Sequence, residues 1–441
     1  MTPEEPPPRC VFLMLLICMG AGWFGGIFTA SMALQMLSLA ESRPEEVILM
    51  PFLLRHFSPE VLAGGVMVVA SVAGGGIGSL WNLFAADRIG LKVSCAAAFA
   101  TLGFASMLAA YPPTYLMGVL ASSVGGNVLA PILPALLSCQ FDDDGRTQRY
   151  VTYAYASSNG AFVLATAVAG VQSFWMGYVE SAVVACVSLA LLRAAWGQLR
   201  DSSDKAKSPS AHPALRSNDL RIVGFAILCV LGLTFRAVFA QFLGGSFMVF
   251  AREEVSALGG LRVPPQWFLT LNGLIDMILA APVAGLYECK PALRFHLKLR
   301  LGFALIAFGF GILGFAAKLT SMAGVSPLVV AAATLLISLG ELHFNPVMMA
   351  TIPSEMPANM LGRFNGIYFV VSGVGDTAQG LGVSLYEAAG AEGFFMVLAA
   401  LAMTGFIGLQ LVAPGLDYCF SEAAGAERLP LAVKGPAAPN P

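Results

Sequence analysis

Long apolar stretches separated by short polar ones fill this chain. A bilayer core of ~30 Å needs ~20 apolar residues per helix. Runs of that kind fall near 10–38, 61–85, 92–111, 114–138, 151–173, 175–195, 221–250, 266–287, 300–318, 325–349, 364–386 and 392–413. The pattern predicts an all-α membrane protein with twelve transmembrane helices. Several hold Gly and Pro, which such helices tolerate. The one long polar stretch after the first loops, 197–220 (GQLRDSSDKAKSPSAHPALRSNDL), is rich in Ser, Pro and charge and reads as a flexible linker. It divides the spans six and six, into an N-terminal half (1–196) and a C-terminal half (221–413). The Ala/Pro/Gly-rich remainder, 414–441, reads as a disordered tail.

Composition agrees with that pattern. Of 441 residues, 57% are hydrophobic and 11% charged, against about 25% charged in soluble domains. A net charge of −2 offers no basic excess for nucleic acid. The eight cysteines are scattered, with no CxxC or Cys/His cluster, so neither a zinc site nor a disulfide framework is expected. The N-terminus, MTPEEPPPRC, lacks a basic signal-peptide region. The first apolar run is therefore expected to remain as a span.

Lys and Arg set the expected orientation. With the N-terminus cytoplasmic, eighteen of the 24 fall on the cytoplasmic side and five (Arg43, Arg55, Arg252, Arg262, Lys318) on the other. Both termini are thus predicted cytoplasmic. Which membrane is crossed is open. Two six-helix halves suggest a transporter with its site between them. Span count alone leaves a channel or a membrane enzyme open.

Within the spans the ionisable residues are few: Glu180, Arg236, Asp276, Glu341, His343 and Asp376. A charge at the bilayer centre costs ~2.5–3.5 kcal/mol on insertion scales, so such groups face a bundle interior or a watery cavity. A buried structural pair is the plain alternative for Asp276 and Asp376. Glu180 lies near a helix end, and His343 reads as a packing residue. Residues four apart share a helix face. Asn272 and Asp276 stack this way on the eighth span, and Glu341 and Asn345 on the tenth. Tyr368, Ser372 and Asp376 form a drifting stripe on the eleventh. Arg236 and Gln241 lie close on the seventh. Four helices of one half thus each offer a polar face, which fits a solute cavity. One Arg against three carboxylates favours a cation or protonated amine, or else a carboxylate holds its proton. Glu341, Asp276 and Asp376 are therefore the candidates for proton coupling. Pro346 removes the backbone donor to the Leu342 carbonyl, freeing it for a ligand, a water or Asn345. A simple kink is the alternative. The glycines of GGGIG (74–78) fit close helix packing. No nucleophile–base pair or metal-ligand set appears, so neither catalysis nor a cofactor is expected.

The stretch 340–376, GELHFNPVMMATIPSEMPANMLGRFNGIYFVVSGVGD, resembles the tenth and eleventh spans of the proton-coupled oligopeptide transporter family, within the major facilitator superfamily. There Asn345 replaces a Ser and Tyr368 a Trp. PPQWFLTLNGLIDMILAAPVAGLY (264–287) and FRAVFAQFLGGSFMVFA (235–251) are similar to its eighth and seventh spans. GGNVLAPILPALLSCQFDDDG and YAYASSNGAF resemble its fourth and fifth. ADRIGLK (86–92) resembles the superfamily motif between the second and third spans.

The resemblance implies the major facilitator fold and a secondary transporter of di- or tripeptide-like solutes working by alternating access. It implies that Glu341 holds an amino group, and that Asn272, Asn345, Tyr368, Gln241, Ser158 and Asn159 line the site. It also implies that Asp87 and Arg88 hold the cytoplasmic face closed, with plain positive-inside topology as the alternative. The departures are specific. The family's charged first-span Glu-x-x-Glu-Arg matches MGAGWFGGIF (19–28), which has no charge. Its fourth-span lysine is Ala130, and the carboxylate before Gln241 is Ala240. Arg236 stands where an aromatic is usual. The groups for a peptide carboxylate are missing, so an amine-bearing solute fits, unless Arg236 anchors a carboxylate instead. A facilitative transporter of a non-peptide solute and a non-transporting, receptor-like relative remain as alternatives. Small solute, lipid and candidate protons are the expected partners of a monomer.

Overall fold

The computed structural model describes residues 8–141, 144–201, 218–289, 294–320, 324–355 and 361–428. It is almost entirely helical, with two isolated bridges (Val255 to Val325, Leu258 to Leu261) and no strand among the described residues. The N-terminal half holds α1 (Pro8–Ser42), α2 (Pro59–Leu80), α3 (Leu91–Ala110), α4 (Tyr115–Ser138), α5 (Asp144–Ala169) and α6 (Phe174–Ala195). The C-terminal half holds α7 (Asn218–Leu243), α8 (Gln266–Cys289), α9 (Phe295–Leu319), α10 (Pro327–Glu355), α11 (Leu361–Asp376) and α12 (Ala378–Arg428). α12 bends sharply at Gly390 (φ 68°). Its first part completes the eleventh crossing begun by α11, and the rest is the twelfth.

Ten stretches are long and apolar enough to cross a membrane, and the last, Gly366–Phe420, suffices for two. Ala156–Ala169 adds a shorter apolar helix. The protein is a multi-pass integral membrane protein of twelve crossings.

The halves repeat one packing plan. α1 packs on α5, α2 on α4, and α3 on both α4 and α6. Six helices on, α7 packs on α11, α8 on α10, and α9 on both α10 and α12. The halves meet through α5 on α8, and through α2 on α11 and the start of α12. These seams close tightly on the face opposite the linker. Arg252 Nη2 meets Glu41 Oε2 at 2.7 Å, and Ser58 Oγ donates to Glu387 Oε1 at 3.1 Å. Trp267 Nε1 donates to the Ala167 carbonyl at 3.3 Å, and the Thr166 and Thr270 hydroxyls lie 3.0 Å apart.

Three expectations change. Residues 202–217 of the expected linker lie outside the described residues, but Asn218–Leu220 already belong to α7. The tail does not begin at 414: α12 runs through Pro414 to Arg428. Ala413, Leu416 and Phe420 are buried at helical spacing, and Phe420 meets Phe295 edge-on. That apolar face was averaged away by the Ala/Pro/Gly composition around it. Residues 429–441 lie outside the described residues. Finally, the tenth span, expected over 325–349, continues as helix through Pro346 to Glu355.

Two of the GGGIG glycines pack closely, Gly74 against Ser123 and Gly78 against Asn127, both on α4, while Gly76 meets open space. The tightest inter-half approach is at Gly64 and Gly380, where a Cβ on Gly380 would stand 2.1 Å from the Gly64 carbonyl oxygen. Backbone cannot swing aside as a side-chain tip can. Gly380→Val is expected to cost about 1–3 kcal/mol by overpacking, read as a lowered Tm in detergent. Gly408, with nothing within 4 Å, is the control, and Gly408→Ala is expected to be neutral or stabilising by up to ~1 kcal/mol.

Candidate functional site

Glu341 lies on α10 with α8 opposite. Its Oε1 accepts from Asn345 Nδ2 at 3.0 Å, one turn on, and its Oε2 from Asn272 Nδ2 at 3.4 Å. Asn272 Nδ2 also donates to Ser338 Oγ at 2.8 Å. Asp276, one turn along α8, brings its carboxyl within hydrogen-bonding reach of Glu341. Asp276 Oδ1 is buried without a donor. Two carboxyls this close repel when both are ionised, so the pair is built to take a proton or a cation. Behind Glu341 the helix is held stiffly. Phe344 stacks on Phe235 of α7 (centroids 3.8 Å, 4°) and meets Phe303 of α9 edge-on. His343 packs, as expected: its Nδ1 lies 2.7 Å from the Leu339 carbonyl oxygen and its ring meets Tyr287. The carbonyl freed by Pro346 is not taken by Asn345, whose amide goes to Glu341.

The expected single polar surface resolves into two groups. Arg236 of α7 is committed to Asp376, at the end of α11, with Nε and Nη2 at 2.8 and 2.6 Å from Oδ1. Their side chains are 22% and 31% exposed. Tyr368 is buried beside this pair, and Glu341 lies within the field of Arg236. Gln241 does not face a cavity. Its Nε2 donates to the Ala378 carbonyl, where the eleventh crossing is interrupted, and its Oε1 accepts from Ser246 Oγ at 3.2 Å. A side chain with both ends bonded this way splints the break between α11 and α12.

Among the described residues the N-terminal half brings no charge here. A Cβ on Gly22 would stand 1.9 Å from the Ser158 carbonyl oxygen, so α1 and α5 touch backbone to backbone. No side chain fits at Gly22 itself. Ser158 and Asn159 are half-buried on α5, and Gly160 next to them faces Met277 of α8. Glu180, near the start of α6, accepts from Gln172 Nε2 at 3.0 Å.

Two residues escaped sequence reading. Pro131 inside α4 has no N–H for the Asn127 carbonyl one turn back. Asn82, on a π-helical turn (Trp81–Ala85) that follows α2, supplies the donor instead, Nδ2 to Asn127 O at 3.1 Å. Asn82 Oδ1 is left buried without a partner. It borders a cleft of about 30 Å³ lined by Ser79, Asn127, Pro131, Gly366 and Phe369, room for a water-sized group. Pro131 was the signal available. A concavity of about 650 Å³ is an apolar groove between α9, α10 and α12 lined by Phe308, Phe315 and Met403. It presents no charge to a polar solute.

Of the two residues expected to close the cytoplasmic face, the side chain of Asp87 lies outside the described residues and Arg88 is exposed. The same turn is tied down by others. Leu91 N–H donates to Asp201 Oδ1 at 2.8 Å, and Lys92 Nζ to the Leu199 carbonyl at 3.1 Å.

Comparison with known proteins matches this geometry. The family model of the POT family matches residues 216–402, the half that carries the charged groups. A peptide transporter, YePEPT, of Yersinia enterocolitica subsp. palearctica serotype O:3 (strain YE-P4) is 33% identical over 175 residues. That match spans 38% of this chain and 34% of the relative. Two solved structures share the fold of this chain. A peptide transporter POT in complex with sulfate has a TM-score of 0.79 at 15% identity, over 94% of this chain and 96% of the other. A POT family transporter in complex with 5-aminolevulinic acid has a TM-score of 0.73 at 14% identity, over 94% and 98%.

Two outcomes follow for this site. Asp376→Asn strands the Arg236 guanidinium and is expected to cost about 1–3 kcal/mol, read as Tm. Arg236→Gln with Asp376→Asn removes both charges and is expected to recover most of it. Asn82→Leu leaves the Asn127 carbonyl without a donor, with an expected loss of about 1–3 kcal/mol by the same measurement.

Proposed function

We propose that this protein is a secondary active transporter that moves a small amine-bearing solute, di- or tripeptide-like or simpler, by alternating access between its halves. The observation that carries the reading is the Glu341–Asp276 pair, a midplane carboxyl pair backed by Asn272 and Asn345. An ammonium group between the carboxyls would satisfy the Asp276 oxygen that now has no donor. A proton would do the same between solutes, which makes Glu341 and Asp276 the candidates for coupling. Asp376 serves instead as the partner of Arg236, and it joins the coupling only if that pair opens. Glu341, Asp276, Asn272, Asn345 and Tyr368 form the solute side. Arg236 would meet a carboxylate only by exchanging it for Asp376. Gln241 acts through the helix break. Ser158, Asn159, Asn82 and Asn127 give the opposite wall neutral hydrogen-bonding groups. The seams on the face opposite the linker would part in the other transport state. Both termini on the cytoplasmic side and a monomer complete the reading.

Absence of charge at Gly22 also favours a second reading, a receptor-like relative that binds without transport. Purified protein in proteoliposomes separates the two. Counterflow of radiolabelled dipeptides or amines across the wild-type protein supports transport, and binding without counterflow supports the receptor. In a transporter, Glu341→Gln is expected to lower uptake at least tenfold and to abolish its response to a pH gradient. Unchanged uptake and pH response in that variant would remove Glu341 from both roles.

A further inference from the structure

The loop between α1 and α2 holds eight successive apolar residues, VILMPFLL at 47–54. Val47 and Met50 are buried and pin it, and Ile48 N–H donates to the Pro113 carbonyl at 3.4 Å. Leu53 and Leu54 pack partly against the core, and the rest of the patch turns away from the protein. Ile48, Leu49, Phe52 and Phe57 are 61%, 61%, 59% and 50% exposed. Leu49 has φ 72°, a left-handed backbone that a leucine rarely adopts. The bend leaves the Leu49 side chain exposed beside Ile48 rather than packed inward. A patch of this kind facing water marks a binding surface.

Its position says what covers it. The loop joins the end of one transmembrane helix, Ser42, to the start of the next, Pro59. It therefore sits at the level where hydrocarbon meets water. Its flanks are polar, Glu45 and Glu46 before it and Arg55 and His56 after it. Tyr111, at the end of α3 on the same face, is 62% exposed. Amphipathic aromatic rings gather at that level in membrane proteins. We propose that residues 48–57 dip into the boundary between lipid headgroups and acyl chains, on the face opposite the linker, as an interfacial anchor. The occupant of the patch is bilayer lipid. The anchor ends beside a seam of the halves: Ser58 Oγ accepts from Val61 N–H at 3.3 Å, starting α2, and donates to Glu387 of α12.

The test uses the full chain in phosphatidylcholine proteoliposomes, with a fluorescent amino acid placed by codon suppression at position 52 or, separately, at position 45. Each labelled protein is first matched to the unlabelled one by thermal unfolding. Lipids brominated near the headgroup are expected to quench position 52 at least twofold more than position 45. Iodide present on both sides of the vesicles is expected to give the reverse order. Equal access of iodide to both positions overturns the anchor. Protection of position 52 from both quenchers, the mark of a second copy or another protein on the patch, overturns it too.

Discussion

A charge in hydrocarbon needs a partner or water, and this requirement organises the C-terminal half. Arg236 and Asp376 answer it by meeting each other across α7 and α11. The pairing fixes the two helices where the eleventh crossing is interrupted, and Gln241 secures the same place through the Ala378 carbonyl. Glu341 and Asp276 answer it differently. Glu341 takes two asparagine amides, and Asp276 beside it keeps one carboxylate oxygen without a donor. One pair is closed on itself and the other is open to a cation. That difference separates the part of the site that holds shape from the part that can change its occupant.

The halves share a packing plan but not a chemistry. Each helix pairing in the first half has its counterpart six helices on. At the centre, glycine and backbone fill the N-terminal side where α1 meets α5. Neutral amides on α4 and on the turn after α2, with Ser158 and Asn159 of α5, supply a polar edge nearby. The buried charges of the centre thus lie in one half, and the other contributes shape and a few neutral hydrogen-bonding groups.

Most of the fold was legible because a span has one demanding requirement, enough consecutive apolar residues. The fifth span was the weakest, since α5 begins with polar residues and only Ala156–Ala169 is apolar throughout. The tail was misread because burial at 413, 416 and 420 is a matter of spacing, which composition hides. In the site, residues one turn apart were legible: Asn272 with Asp276, and Glu341 with Asn345. Partnerships across helices were not. Gln241 looked like a cavity residue, yet its partner is a backbone carbonyl 137 positions away. Asn82 looked like nothing in particular, because its role is set by a proline on another helix. The glycines of 19–28 could be seen, but their meaning needed the backbone of Ser158 beside them.

The ion pair of α7 and α11 also imposes an order on biogenesis. Arg236 leaves the ribosome 140 residues before Asp376. At about 5–20 residues per second, that gap lasts on the order of ten seconds. Over that interval the seventh span is in or near the membrane with a guanidinium and no counter-ion. It must wait at the insertion machinery, or reach the watery surface with its long side chain, until the eleventh span arrives. The last helices therefore finish the insertion of an earlier one, and a chain that stops before Asp376 strands a cation that the complete protein conceals.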